Sequence, residues 1–386
     1  MASPVRRSTL PGRVNRKPKP VGPRDLRCVD LFAGAGGLAE GFRRAGGFVT
    51  IAGVELEPTA AATFALNHPS ADTFAGHINA WLSRGRVHGV DVVMGGPPCQ
   101  GFSNLGTRKA RDPRNALWRR YVNTLTWYRP KYFILENVAD FLRSGQFASL
   151  RNATRPSGLL RDYRIESGVL NAADFGVAQT RKRAIVIGSH RDLPPPGLPV
   201  GPLAGERDRW RTVRDTIGHI PPDVDGVDLP ASRMLIADRQ RPGPFKTTDL
   251  HLGRRPTDLS LARYRAIPEG GNRRHLPDEL RSPCWRKHDT GSGDVMGRLW
   301  WDRPSVTIRT EFWKPEKGRY LHPSADRPIT LMEGALLQGF PEDYLWCGSK
   351  TEIGRQIGNA VPIELGRAIG HHIRDHYDRA CGLRNR

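Results

Sequence analysis

The sequence predicts an α/β protein: a twisted, mainly parallel sheet with helices on both faces, joined to a smaller loop-rich domain. Three observations predict it. Short apolar runs rich in Val, Ile, Leu and Phe alternate with helical stretches from Leu26 to Gly188. Parallel strands buried on both faces read as such continuous runs. A Gly-rich turn directly follows the first run, which is how open α/β sheets present a loop to a ligand. After His190 the periodicity fades into Pro, Gly, Arg and Asp, so a second module begins there.

Each element has a local reason. Leu26 to Phe32 is an apolar strand, and Ala33-Gly34-Ala35-Gly36-Gly37 turns it into a helix over Leu38 to Ala45. Val49 to Glu55 is the second strand and Thr59 to Asn67 the second helix. Val90 to Met94, Tyr132 to Glu136 and Ala184 to Gly188 are further strands, and Ala116 to Tyr128 is the helix before the second of these. Gln356 to Pro362 reads as a polar turn opening a last helix over Ile363 to Tyr377. Residues 1–26 form a basic, Pro-rich tail expected to be disordered. The domains are then 27–190, completed by 353–386, and 191–352.

Composition narrows the function. Lys and Arg number 60 against 39 Asp and Glu, a net charge of +21 spread along all 386 residues. Such an excess suits a polyanion, although Arg-rich solvated faces would give the same sum. No apolar run reaches the length of a membrane span, and the N-terminus lacks the apolar core of a signal peptide. The five cysteines, Cys28, Cys99, Cys284, Cys347 and Cys381, include no Cys-x-x-Cys pair. Neither a disulfide framework nor a metal site is expected, and a reducing cytoplasm fits.

Five constellations carry chemistry. The turn Asp30 to Gly37, with Glu55 ending the next strand, can offer backbone N–H groups and a ribose-accepting carboxylate to a ligand; a purely structural turn would look the same. It does not match G-x-G-x-x-G, which disfavours nicotinamide cofactors. Gly95-Gly96-Pro97-Pro98-Cys99-Gln100-Gly101-Phe102-Ser103 follows the third strand, and its prolines stiffen the approach to Cys99. A lone cysteine is often inert, but one held at a strand end can be a nucleophile. Glu136-Asn137-Val138 ends the fourth strand and faces the same crevice. In Gln179-Thr180-Arg181-Lys182-Arg183, alternation puts Arg181 and Arg183 on one side. Gln356 to Pro362 is the fifth.

Together and in this order, from Arg27 to about Ile369, these segments resemble the DNA cytosine-5 methyltransferase family of bacterial restriction-modification type. The resemblance implies a Rossmann-like, S-adenosylmethionine-dependent methyltransferase fold with a smaller target-recognition domain. It implies S-adenosyl-L-methionine held by Phe32, Gly34, Ala35, Gly36, Gly37, Glu55, Leu56, His77, Ile78, Pro98, Leu117, Asn359 and Val361. It makes Cys99 the nucleophile at cytosine C6, with Glu136 and Arg181 as its catalytic partners. Gln100, Ser103, Gln179, Arg183 and Thr307 are expected to meet double-stranded DNA. Because C5 and C6 are shielded in a duplex, the base must flip out between two lobes. The implied enzyme is a cytoplasmic monomer that acts beside, without touching, a cognate restriction endonuclease. An RNA cytosine methyltransferase, a non-catalytic DNA-binding relative and an oxidoreductase are the rival readings. The chain departs from the family at Gly76-His77-Ile78, where Gly-Asp-Ile is usual, and at Met332 and Leu336, where arginines are usual.

Overall fold

A computed structural model describes residues 22, 24–85, 87–97, 115–287 and 292–383. Its centre is a seven-stranded sheet built from β1 (Leu26–Leu31), β2 (Phe48–Glu55), β3 (Asp72–Ala75), β4 (Val92–Gly95), β5 (Tyr132–Val138), β6 (Tyr163–Asn171) and β7 (Lys182–His190). The strand order is β3-β2-β1-β4-β5-β7-β6. The first five pair in parallel, and β7 runs antiparallel to both neighbours. The expected mainly parallel sheet is therefore observed. Two strands escaped the sequence reading. β3 is four residues long with no buried residue, and β6 is an edge strand interrupted by Arg164, Glu166 and Gly168.

The helices α1 (Gly37–Ala45), α2 (Pro58–Asn67), α3 (Ile78–Leu82), α4 (Asn115–Tyr128) and α5 (Gly145–Ala153) connect the strands. Apolar cores lie on both faces of the sheet. One joins Leu31, Val54, Val93, Phe133 and Tyr163; the other joins Phe42, Phe64, Met94, Ile134, Ile187 and Ile369. Strand order reverses between β1 and β4, so a crevice opens outside their carboxyl ends, where open α/β sheets bind ligands.

Past His190 the elements are short: α6 (Val213–Ile217), β8 (Arg233–Ile236), β9 (Arg239–Pro242), β10 (Phe245–Lys246), α7 (Asp258–Ala266), α8 (Pro283–Lys287), β11 (Gly297–Arg298) and β12 (Arg319–Leu321). They pair only in two-stranded ribbons. Then follow α9 (Leu331–Leu337), β13 (Leu345–Trp346), α10 (Lys350–Asn359) and α11 (Ile363–Ala380).

Gln356 to Asn359 do not open the last helix; they close the one before it. Ser349 and Glu352 form a reciprocal N-terminal cap, and Ile353 and Ile357 are buried one turn apart. Gly354 and Gly358 sit in a helix because packing excludes a larger residue. A Cβ would lie 2.0 Å from the Trp313 ring at Gly354 and 2.4 Å from the Arg309 backbone at Gly358. Met332 and Leu336, the family's usual arginine positions, pack against the apolar cluster around Phe312 and Leu331.

Candidate active site

The Gly-rich turn is shaped by backbone conformation. β1 ends at Leu31, and Phe32, Gly34 and Gly36 then take positive φ of 58°, 55° and 89°. Glu55, at the end of β2, fastens the turn: its carboxylate accepts the Gly34 N–H at 2.8 Å and the Glu57 N–H at 2.8 Å. The Leu56 backbone adds a weaker contribution to the same carboxylate. Burial raises the Glu55 pKa despite those two bonds. Asp30 is deeper still, 2% exposed, and burial followed by repulsion from Glu55 pushes its pKa well up. Its Oδ2 has no hydrogen-bond partner among the described residues.

The C-terminal motif closes on this turn. The Val361 carbonyl lies so near Gly37 that a Cβ there would meet it at 2.4 Å, which explains the glycine. Asn359 is exposed at the end of α10 beside this contact, and Val361 is buried. Gly34 faces open space, and Leu56 next to Glu55 is 56% exposed. His77 is also exposed; its Nδ1 caps α3 by accepting the Asn79 N–H, while Ile78 is buried. Leu117 is half-buried on the first turn of α4.

The second half of the crevice lies across β4 and β5. The Glu136 carboxylate rests against Gly96, where a Cβ would be 3.0 Å from Oε2. Asn137 Nδ2 donates to the Pro97 carbonyl at 2.9 Å. Two adjacent residues of β5 thus hold the entry to the cysteine loop. Pro98, Cys99, Gln100 and Ser103 lie outside the described residues.

The arginines divide. Val138 pairs with Arg183 across β5 and β7, which places Glu136 and Arg183 diagonally on one face. They meet as an ion pair, Nε to Oε1 at 2.8 Å. Arg181 instead is 2% exposed, and its two terminal nitrogens donate to the carbonyls of Ile308 at 2.7 Å and Gly358 at 2.9 Å. Burial lowers its pKa well below the usual range, with Arg183 adding repulsion. Of the two arginines of the motif, the structure brings Arg183 to Glu136, while Arg181, just before β7 begins at Lys182, is held by the two carbonyls.

Gln179, expected at the DNA, lies inside the fold. Completely buried, it accepts the Ile308 N–H and donates to the Gln338 side chain at 2.9 Å. Thr307 is half-buried and donates its hydroxyl to the Thr180 carbonyl at 2.9 Å.

Two contributors carried no sequence signal of their role. Gln338, buried, donates to the Ile357 carbonyl at 2.7 Å, and Tyr344 donates to the Ala35 carbonyl of the Gly-rich turn. Their partners are remote in sequence, so no local pattern reports them. No group of three or more potential metal ligands occurs among the described residues, and no described helix is long and apolar enough to cross a membrane.

A positive-φ glycine turn fastened by a strand-end carboxylate, facing a second crevice wall that carries the Glu136–Arg183 ion pair, is the arrangement in which an α/β enzyme holds a nucleoside-type cofactor. Residues 26–375 match the model of the C-5 cytosine-specific DNA methylase family, and the chain belongs to that family. It is 33% identical over 365 residues to the Type II methyltransferase M1.HphI of Haemophilus parahaemolyticus, covering 90% of this chain and 86% of the relative. It is 30% identical over 381 residues to the Type II methyltransferase M.DdeI of Desulfomicrobium norvegicum, covering 90% and 88%. A DNA modification methyltransferase encoded within an E. coli prophage superposes with a TM-score of 0.67 at 24% identity, over 92% of this chain and all of that one. The S. pombe Dnmt2 methyltransferase superposes with a TM-score of 0.54 at 17% identity, over 91% and 99%. These two likenesses are of fold. The chain is accordingly a DNA cytosine-5 methyltransferase that uses S-adenosyl-L-methionine. The open face of Gly34, the strand-end carboxylate of Glu55, the exposed Leu56 and the unpartnered Asp30 Oδ2 fit such a group.

Proposed function

We propose that the chain flips one cytosine out of a specific double-stranded DNA sequence and methylates it through a covalent bond between Cys99 and C6 of the ring. The observation that carries this reading is the convergence of Glu136 and Asn137 on Gly96 and Pro97, the entry to the Cys99 loop, with Arg183 paired to Glu136.

C5 of cytosine is too weak a nucleophile to be methylated unaided. Addition of the Cys99 thiolate to C6 converts the ring into an enamine, in which C5 carries the electron density. Glu136 shares a proton with N3 and so offsets the charge that builds on the ring. Arg183, rather than Arg181, donates to the O2 carbonyl from beside Glu136. S-adenosyl-L-methionine, when bound, supplies an electrophilic methyl group at its sulfonium. Phe32, Gly34 to Gly37, Glu55 and Leu56 would hold it, with Asn359 and Val361 closing the turn from behind. Transfer of the C5 proton to solvent then expels the Cys99 thiolate and restores the aromatic ring.

Flipping costs a few kcal/mol, which phosphate contacts offset. Residues 191–352 would supply the second lobe and read the target, with most of the specificity before about residue 325. The type II relatives suggest that the methyl mark protects host DNA from a restriction endonuclease cutting the same site. The enzyme would act as a cytoplasmic monomer, without contact to that partner.

A duplex bearing 5-fluorocytosine at the target tests the covalent step, because fluorine cannot leave as a proton does. Incubation with S-adenosylmethionine should give a denaturation-resistant complex, lost in Cys99→Ala but retained when Cys28, Cys284, Cys347 or Cys381 is replaced. DNA attached to another cysteine, or methylation by Cys99→Ala, would end the reading.

A further inference from the structure

Two guanidinium groups lie over the Trp300 indole: Arg319 at 4.1 Å and Arg303 at 4.9 Å from the ring. Their environments differ. Arg319 is 5% exposed and fixed, with one terminal nitrogen on the carbonyls of Gly270, Gly271 and Arg298 and its Nε facing Asp294 at 3.2 Å. Gly270 packs so tightly that a Cβ would lie 2.0 Å from the indole nitrogen. The ring is therefore a rigid platform. Arg303 is exposed and meets no carboxylate within ion-pair range among the described residues. It is also repelled by Arg319. Arg319 is paired with Asp294 and Arg214 with Asp302, which leaves Arg303 as the guanidinium on this ring without a carboxylate partner among the described residues.

The backbone under Arg303 is equally constrained. Its carbonyl accepts the Val213 N–H at 2.9 Å. Two residues on, Ser305 exchanges backbone hydrogen bonds with Ala178 and Thr180, and Thr307 is tied to Thr180. Those partners lead directly into Arg183 and its contact with Glu136. Arg303 is thus a pre-oriented cation on a segment strapped to the edge of the reactive crevice.

We infer that Arg303 is a built anchor for a phosphate of the DNA backbone, fixing the duplex against the crevice without reading its sequence. This rests on the reading that DNA lies between the two lobes. The Trp300 ring holds the guanidinium from one side, and its N–H groups remain for a paired acceptor. The two free oxygens of a phosphate match those groups, and their charge relieves the repulsion from Arg319. A base reader would have to stand on an element entering a groove. Arg303 stands at the foot of the small domain, on backbone held to the large one.

The experiment measures binding of two duplexes, with and without the methylated sequence, by anisotropy over a range of salt. Wild type, Arg303→Ala and Arg303→Lys are compared. Arg303→Ala should weaken both duplexes by the same factor, roughly tenfold for one charge-assisted contact. It should also reduce the slope of log K against log salt by about one. Arg303→Lys should restore the slope but not the full affinity, since lysine cannot stack and pair as a fork. Calorimetric affinity for S-adenosylmethionine and Tm should match wild type, because the side chain is exposed. Unchanged affinity and slope in Arg303→Ala would overturn the inference, and so would a loss confined to the target duplex, which would make Arg303 a base reader. If wild type itself bound duplex DNA without salt dependence, the wider two-lobe reading would fall instead.

Discussion

Glu136 and Arg183 reach each other across two antiparallel strands, Oε1 to Nε at 2.8 Å. Each side chain is about one-tenth exposed, so the pair is fixed yet open to a ligand on one edge. Removing the donor should damage the chemical step rather than folding. Arg183→Ala should lower kcat by roughly 10²–10³-fold, the usual cost of one preorganised electrostatic partner. Single-turnover methylation at saturating DNA and cofactor checks it; a rate within threefold of wild type would remove Arg183 from the reaction.

Arg181 should behave in the opposite way. Arg181→Met leaves the buried carbonyls of Ile308 and Gly358 without their donors. Unpaired buried carbonyls cost about 1–3 kcal/mol each. The midpoint of urea unfolding should fall well below wild type. If Arg181→Met is as stable as wild type but has lost the chemical step, Arg181 and Arg183 have exchanged roles.

Glu55 should control cofactor affinity. Glu55→Ala frees the Gly34 and Glu57 N–H groups and removes the acceptor offered to a ribose. Bonds to a charged acceptor are worth about 1.5–3 kcal/mol, so S-adenosylmethionine should bind roughly 10–100-fold more weakly by calorimetry. Wild-type affinity would place the ribose elsewhere.

His322 gives the fold a pH limit. It is 1% exposed; its Nδ1 accepts the Ala325 N–H, and its Nε2 lies 3.6 Å from Glu333. Burial holds its pKa down at about 4, partly countered by Glu333 and reinforced by Arg327, Arg298 and His251. A histidine whose folded pKa is depressed contributes stability above its unfolded value, near 6.5, and loses it as pH falls toward 4. The full span corresponds to about 3 kcal/mol. Glu333 works in the same direction at lower pH: burial pushes it up, but the paired bonds from Arg327 prevail and hold it below the usual range. Tm should drop between pH 7 and pH 5, and drop less in His322→Gln. Equal losses in both proteins would mean another group sets the limit.

Much of this architecture is legible in the chain because it is local. The apolar run at Leu26 to Leu31, the glycines after it and the acid at Glu55 specify strand, turn and strand end without outside help. The Asn137 contact with Pro97 follows from two motifs already singled out. What is not legible is pairing between distant segments. Arg181 and Arg183 look equivalent in an alternating stretch, and only the carbonyls of Ile308 and Gly358 separate them. Gln179 reads as an exposed polar residue until Gln338 is placed beside it. The helix ending at Asn359 was obscured by Gly354 and Gly358, which are required by Trp313 and Arg309.

The sheet domain is interrupted in sequence but continuous in space. α11 packs along α1 so closely that a Cβ on Gly41 would strike the Gly366 backbone at 2.6 Å, and Arg374 reaches the carbonyls of Arg24 and Gly47. The last helix therefore ends within a short span of where the first strand begins, about 9 Å of helix beyond Arg374. Chain order and spatial order are separable here. A circular permutant, opened at the exposed 204–206 turn and with residue 380 joined to residue 24 by a flexible linker, should fold to the same sheet and keep its activity. By the same logic the gene could be divided at that turn and the enzyme rebuilt from two separately made polypeptides.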